Sequence, residues 1–176
     1  MKTRETILRS IAAATSTCAL LAGCATPYQR PADVPTATLV VVTTIMANNS
    51  FDLVDLKTCP DPSFQRLASF SDNTLVGLGA LMTGQKVNNV RTAEHEIEAG
   101  RQFGIRATML EPRCSIGGIF IPAAGLRYEA TFDSVGQSCH FKVVRVEKNA
   151  EGEVERIPEK TLRRAYGGSA KDFCNY

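Results

Sequence analysis

The sequence predicts a mainly β domain, an antiparallel β-sandwich or small barrel with two disulfides and room for one short C-terminal helix. Three observations lead there. Short apolar or alternating runs recur roughly every ten residues between Gly, Pro, Asn and Asp turn signals. Those runs are rich in β-branched and aromatic residues and too short to prefer helix. Four cysteines, Cys59, Cys114, Cys139 and Cys174, form an even set suited to two bridges. No internal repeat of fixed period accompanies them.

Thr38 to Ile45 is apolar and β-branched and reads as the first strand, placed centrally in its sheet. Asn48-Asn49-Ser50 reads as a turn, and Phe51 to Leu56 alternates as a second strand. Cys59-Pro60-Asp61-Pro62 then stops any regular element. Phe64 to Phe70 fits a short strand with both phenylalanines inward, or a helical turn. Between Ser71 and Asn89, Gly77, Gly79 and Gly84 are interspersed with Leu75, Val76, Leu78, Leu81 and Met82. A packed, glycine-softened strand or hairpin is favoured there over a mobile apolar loop contacting a partner or lipid.

The second half is more regular. Ala93 to Glu98 sets Glu94, Glu96 and Glu98 on one face and Ala93, His95 and Ile97 on the other. Ala99-Gly100-Arg101 turns the chain into Phe103 to Leu110, and Glu111-Pro112-Arg113 breaks it. Cys114 to Ile121 is a strand in which Gly117-Gly118 predicts a bulge or close backbone approach. After a Pro122–Gly125 turn, Leu126 to Phe132 alternates with Leu126, Tyr128, Ala130 and Phe132 on one face. Asp133 to Gln137 turns again, and Ser138 to Lys148 is the longest clear strand, with Phe141 and Val143 together. Asn149-Ala150-Glu151-Gly152 is a hairpin loop leading to Val154–Ile157. Beyond Pro158, Leu162, Ala165 and Tyr166 share a helical face that Gly167-Gly168 would end.

The N-terminus has a different character. Lys2, Arg4 and Arg9 precede an apolar stretch from Ile11 to Leu21. At about 11 residues this is too short for a hydrocarbon core, which needs roughly 20. It ends in Leu20-Leu21-Ala22-Gly23-Cys24, which resembles the lipobox of bacterial lipoproteins. The resemblance implies cleavage between Gly23 and Cys24, a diacylglycerol thioether on Cys24, and a membrane partner through that lipid. Ala25 in place of aspartate implies the outer membrane, with the domain facing the periplasm. Residues 1–23 are then a removed signal peptide, 24–35 a lipidated N-terminus with a Pro-rich linker, and 36–176 a single β domain. Prolines 27, 31 and 35 favour an extended, disordered spacer that at ~3 Å per residue reaches roughly 30 Å.

Removing the leader changes the electrostatics. It carries three of the 20 basic and one of the 18 acidic residues, leaving 17 of each. Bulk charge therefore gives no support to a nucleic-acid partner. Cys18 leaves with the leader and Cys24 takes lipid, so Cys59, Cys114, Cys139 and Cys174 are the disulfide candidates in an oxidising compartment. Three pairings are possible. Cys59–Cys114 with Cys139–Cys174 is preferred, because the latter would tie down the C-terminus. A zinc site is disfavoured by the wide spacings and by His140, which points away from Cys139 on a strand.

Catalytic signals are weak. No GxSxG element is present, Gly168-Ser169 lacks a strand–turn–helix context, and His95 and His140 are the only histidines. Both histidines are expected as satisfied structural residues. Glu94, Glu96 and Glu98 lie about 7 Å apart along one face, a spacing open to cation or glycosidase chemistry. A solvated edge-strand face is the favoured reading. No cofactor is expected, since no Gly-rich phosphate loop follows a strand and opens a helix; the absence of Trp weakens a stacked sugar platform. Gly125, Tyr128 and Cys139 occur in an order that resembles small β-sandwich lipoproteins over residues 114–146. That resemblance implies a structural Tyr128 whose hydroxyl is tied to nearby backbone. The expected function is that of a non-enzymatic accessory or binding protein of the cell envelope with an envelope protein partner. The alternative is a small-molecule or glycan binder, or an inhibitor of a wall-degrading enzyme; a hydrolase using the glutamate row ranks last.

Overall fold

The computed structural model describes residues 26–30, 32–71, 90–110, 113–135 and 138–175. Gly23, Cys24 and the segment read between Ser71 and Asn89, apart from Ser71 itself, lie outside the described residues. Eleven strands are formed among the described residues: β1 Thr26–Pro27, β2 Thr36–Thr43, β3 Asn49–Asp55, β4 Ser63–Phe70, β5 Arg91–Glu98, β6 Phe103–Met109, β7 Cys114–Phe120, β8 Arg127–Val135, β9 Ser138–Lys148, β10 Val154–Pro158 and β11 Arg163–Tyr166. One helix, α1 Ala170–Cys174, follows. A six-stranded sheet has the order β1-β4-β3-β6-β7-β11, and a five-stranded sheet the order β10-β9-β8-β2-β5. The mainly β class, the two disulfides and the short C-terminal helix are thus as the sequence predicts. The two sheets form a sandwich.

The core follows from period-2 alternation. Ala37, Leu39, Val41 and Thr43 of β2 point inward, and β2 is hydrogen-bonded to β8 on one side and β5 on the other. Its end is set chemically, since the Thr43 hydroxyl accepts the Ile45 N–H at 3.1 Å and diverts it from the ladder. Asn49 opens β3 instead of lying in the turn, and its side-chain amide donates to the carbonyls of Ile45 and Ala47. Aromatic rings bridge the sheets. Phe51 meets Phe70 and Phe132 edge-on at 6.2 and 6.1 Å, and Phe120 lies 5.7 Å from Phe103 and 5.3 Å from Tyr128. Fully burying each such ring contributes roughly 1.5–3 kcal/mol. The Tyr128 hydroxyl accepts the Ala123 N–H at 2.9 Å, so the tyrosine is tied to nearby backbone.

Three local expectations are corrected. First, Phe64 and Phe70 do not face the same way. Phe51 pairs with Ala68 but Asp52 with Arg66, so Leu67 is an extra residue and the strand changes face there. Phe70 packs in the main core, while Phe64 joins Val54, Ile119, Ala165 and Phe173 on the outer face of the six-stranded sheet.

Second, Leu162 to Tyr166 is not a helix. Glu159 accepts hydrogen bonds from Thr161 through its side chain and from Leu162 through its carbonyl, making a turn. Residues 163–166 then pair with Ile119 to Ile116 of β7. The glycines of β7 permit this crowding: a Cβ on Gly117 would lie 2.1 Å from the Ile105 carbonyl oxygen and 2.9 Å from the Phe173 ring. The helix comes later, where the Asp172 carboxylate accepts from the Ser169 N–H and hydroxyl.

Third, the segment after Cys24 is not a free spacer throughout. Thr26 and Pro27 pair in parallel with Gln65 and Arg66, and the Tyr28 N–H donates to the Arg66 carbonyl at 2.9 Å. Proline is tolerated because β1 is an edge strand that needs no ladder donor at that position.

Candidate functional site

The three glutamates of β5 emerge on one face, as the alternation requires, and each meets its own arginine. Glu94 pairs with Arg127 at 2.8 Å, Glu96 with Arg30 at 2.5 Å and Glu98 with Arg101 at 2.5 Å. The hydrogen bond from Arg127 holds the Glu94 carboxyl below the usual carboxylate range, with the guanidinium charge adding to it. The row is therefore charge-compensated, and a cation would have to displace three guanidinium groups. Among the described residues, no group of three or more His, Cys, Asp or Glu could hold a metal ion.

Opposite the glutamates, the inward face of β5 closes one side of the sandwich. Tyr28 reaches across from the six-stranded sheet, and its hydroxyl donates to the Glu96 carbonyl at 2.6 Å. Burial, reinforced by the negative charge of Glu98, pushes its phenol up to about 12. The His95 ring stands edge-on to Tyr28 at 5.8 Å and hydrogen-bonds to the Leu67 backbone, while its Nε2 has no protein partner among the described residues. Burial lowers its pKa below 6.5 despite that bond. The unfolded chain then binds the proton more readily than the folded one, so stability is retained above about pH 6.5 and lost as pH falls toward the folded value. Urea unfolding between pH 7 and 5.5 is expected to show this loss, with a smaller slope for His95→Gln. An unchanged slope in that variant would refute the assignment. His140 departs from expectation: it is exposed on the outer face of β9, opposite Asp133 in register.

The preferred cysteine pairing is overturned. The bridges are Cys59–Cys174 and Cys114–Cys139, with Cα separations of 5.6 and 6.5 Å. Cys59 follows β3 at the end of the six-stranded sheet that holds Asp55, Phe103 and Phe120, whereas Cys114 pairs with Met109 at the other end. About six residues of strand, roughly 20 Å, separate those ends. Cys114 instead faces β9 of the opposite sheet, and α1 brings Cys174 to Cys59.

One polar cluster was not anticipated. On the outer face of the six-stranded sheet, Asp52 is 1 % exposed and receives Arg66 Nε at 2.6 Å and Arg106 Nη2 at 2.8 Å. The Arg106 guanidinium also lies 3.7 Å from the centre of the Phe64 ring. Ser50 and Thr108 share a hydrogen bond of 2.8 Å next to this cluster in register. The available signal was an aspartate inside the apolar run Phe51–Leu56, a charge that a buried strand must neutralise. Its partners, 14 and 54 residues away, carry no local mark.

No protein-family model, curated protein or solved structure matches the chain. The clefts around these residues are small. One of about 190 Å³ lies between Tyr28, Gln65, Arg101 and Phe103, and one of about 250 Å³ between Thr131, His140, Lys142 and Tyr166. Ligand pockets for drug-sized molecules commonly span about 300–1,000 Å³. No helix among the described residues is long and apolar enough to cross a membrane.

Proposed function

We propose that this chain is an outer-membrane lipoprotein facing the periplasm, anchored through Cys24 and acting as a non-enzymatic accessory or binding protein of the cell envelope. The observation that carries the reading is the pairing of all four cysteines beyond Cys24 with one another. Two bridges are what an oxidising compartment favours, and they leave Cys24 without a partner from that set, ready for thioether chemistry. The lipobox-like run ending at Cys24 supplies the second half of the argument. Charge compensation along Glu94, Glu96 and Glu98 favours a binding module over a hydrolase, since a general acid or nucleophile is needed uncommitted. The two clefts described above, among the described residues, are smaller than drug-sized ligand pockets, which supports a protein partner over a glycan or small molecule.

The test has two parts. Intact mass of chain extracted from the envelope is expected to show acylation at Cys24 and loss of residues 1–23; an unacylated precursor would overturn the anchor. Crosslinking in intact cells is expected to capture one envelope protein, which as bait recovers this chain in return. Recovery of abundant bystanders alone would overturn the partner.

A further inference from the structure

Resting on the lipid anchor proposed above, we infer that the end of the sandwich carrying Val34, Ile121, Ala123 and Ala124 sits directly on the lipid leaflet. The tether length comes first. Thr26 is held in the ladder opposite Gln65, and a single residue, Ala25, lies between it and Cys24. Two residue steps span at most about 7 Å, which leaves no room for a long spacer between the acylated cysteine and the sheet. Because β1 runs parallel to β4, its N-terminal end points toward Ser63, the end that also holds Asp55, Phe103 and Phe120.

Exposed apolar residues gather at that end. The Gly100 N–H donates to the Pro122 carbonyl at 2.7 Å and the Gly125 N–H to the Thr36 carbonyl at 2.8 Å, which binds the 99–101, 121–125 and 33–36 segments into one tip. Val34 and Ile121 are 38 % and 44 % exposed there, and Ala123 and Ala124 are exposed beside them. Of the charges there, Glu98 and Arg101 pair with each other, while Asp33 beside Val34 and Lys160 beside the Thr161 that bonds Ile121 are exposed and of opposite sign. With these charges balanced in sign, the contact is carried by the apolar side chains and depends little on salt, unlike that of a polybasic surface. Leu110 and Val135, at the opposite end, are more exposed at 67 % and 69 %. Hydrophobicity alone would choose them; the short tether chooses the other tip.

The absence of Trp makes the test clean. Full chains bearing Ile121→Trp or Val135→Trp are expressed in a bacterium, extracted from the envelope and reconstituted into phosphatidylethanolamine–phosphatidylglycerol vesicles with brominated acyl chains. The Ile121→Trp chain is expected to lose most of its fluorescence, to shift to the blue, and to do so equally in high salt. The Val135→Trp chain keeps most of its emission. Val34→Trp repeats the measurement should Ile121→Trp fail to fold. Equal quenching at both ends, or stronger quenching at Val135→Trp, overturns the inference alone when intact mass shows acylated Cys24. A mass without lipid overturns the anchor itself, and the inference with it.

Discussion

Replacing Cys59 and Cys174 together by serine is expected to lower the unfolding free energy by about 5 kcal/mol. The bridge spans 115 residues, so its loss restores a large loop entropy to the unfolded chain. The same substitution in Cys114 and Cys139, 25 residues apart, is expected to cost about 3.5 kcal/mol. Domains of this kind are stable by about 5–15 kcal/mol, so the first change alone approaches the margin of folding. A structural term adds to the entropic one. Cys174 closes α1, whose Phe173 is buried on the outer face of the six-stranded sheet with Val54, Ile119 and Ala165. A five-residue helix has little stability of its own, so it depends on this burial, on the Ser169–Asp172 cap and on the bridge together. Urea unfolding of both double-serine variants measures the ordering. A smaller loss for the Cys59–Cys174 pair than for the Cys114–Cys139 pair would contradict the account.

Asp52→Ala is expected to cost about 3 kcal/mol, in the lower part of the range for breaking a buried ion pair. The substitution leaves Arg66 and Arg106 side by side without the carboxylate that separates their charges. Their side chains are 37 % and 23 % exposed, which lets water recover part of the loss. Arg106 also keeps its stacking on Phe64. Glu94→Gln is the contrasting case: its ion pair is solvent-exposed and screened by water, so its loss is expected to leave the stability nearly unchanged. Equilibrium unfolding of the two variants should differ by at least 1.4 kcal/mol, about tenfold in the folded-to-unfolded ratio. Equal stabilities would show that Asp52 is not the electrostatic keystone of that face.

The reach of the sequence is clearest in β2, β8 and β9. There the side chains that alternate in sequence are those that alternate in burial, and the turn at Gly125 has the positive φ of +73° that its glycine allows. The inward face of Tyr128 was legible for the same reason, whereas the tie of its hydroxyl to backbone, at Ala123 five residues away, was what the resemblance to small β-sandwich lipoproteins implied. The Glu94, Glu96 and Glu98 row was legible as a face but not as an ion-paired one. Arg30, Arg101 and Arg127 reach it from three separate segments. Phe64 was misplaced by a single residue, because one bulge at Leu67 exchanges the two faces of a strand.

What the sequence by itself determined is therefore mostly what near neighbours carry, namely the β class, most strand and turn positions and most inward faces, together with the number of bridges, which follows from the even cysteine count. Period-2 alternation and turn chemistry are local properties of the chain, so they are written locally. The tertiary structure alone decided which cysteines meet, how Asp52 is neutralised, that Arg163–Tyr166 adds a strand to β7, and that Tyr28 fastens the N-terminal segment to the sheets. Each of these joins groups whose separation in sequence says nothing of their separation in space. Only the order in which strands stack into sheets brings them within bonding distance.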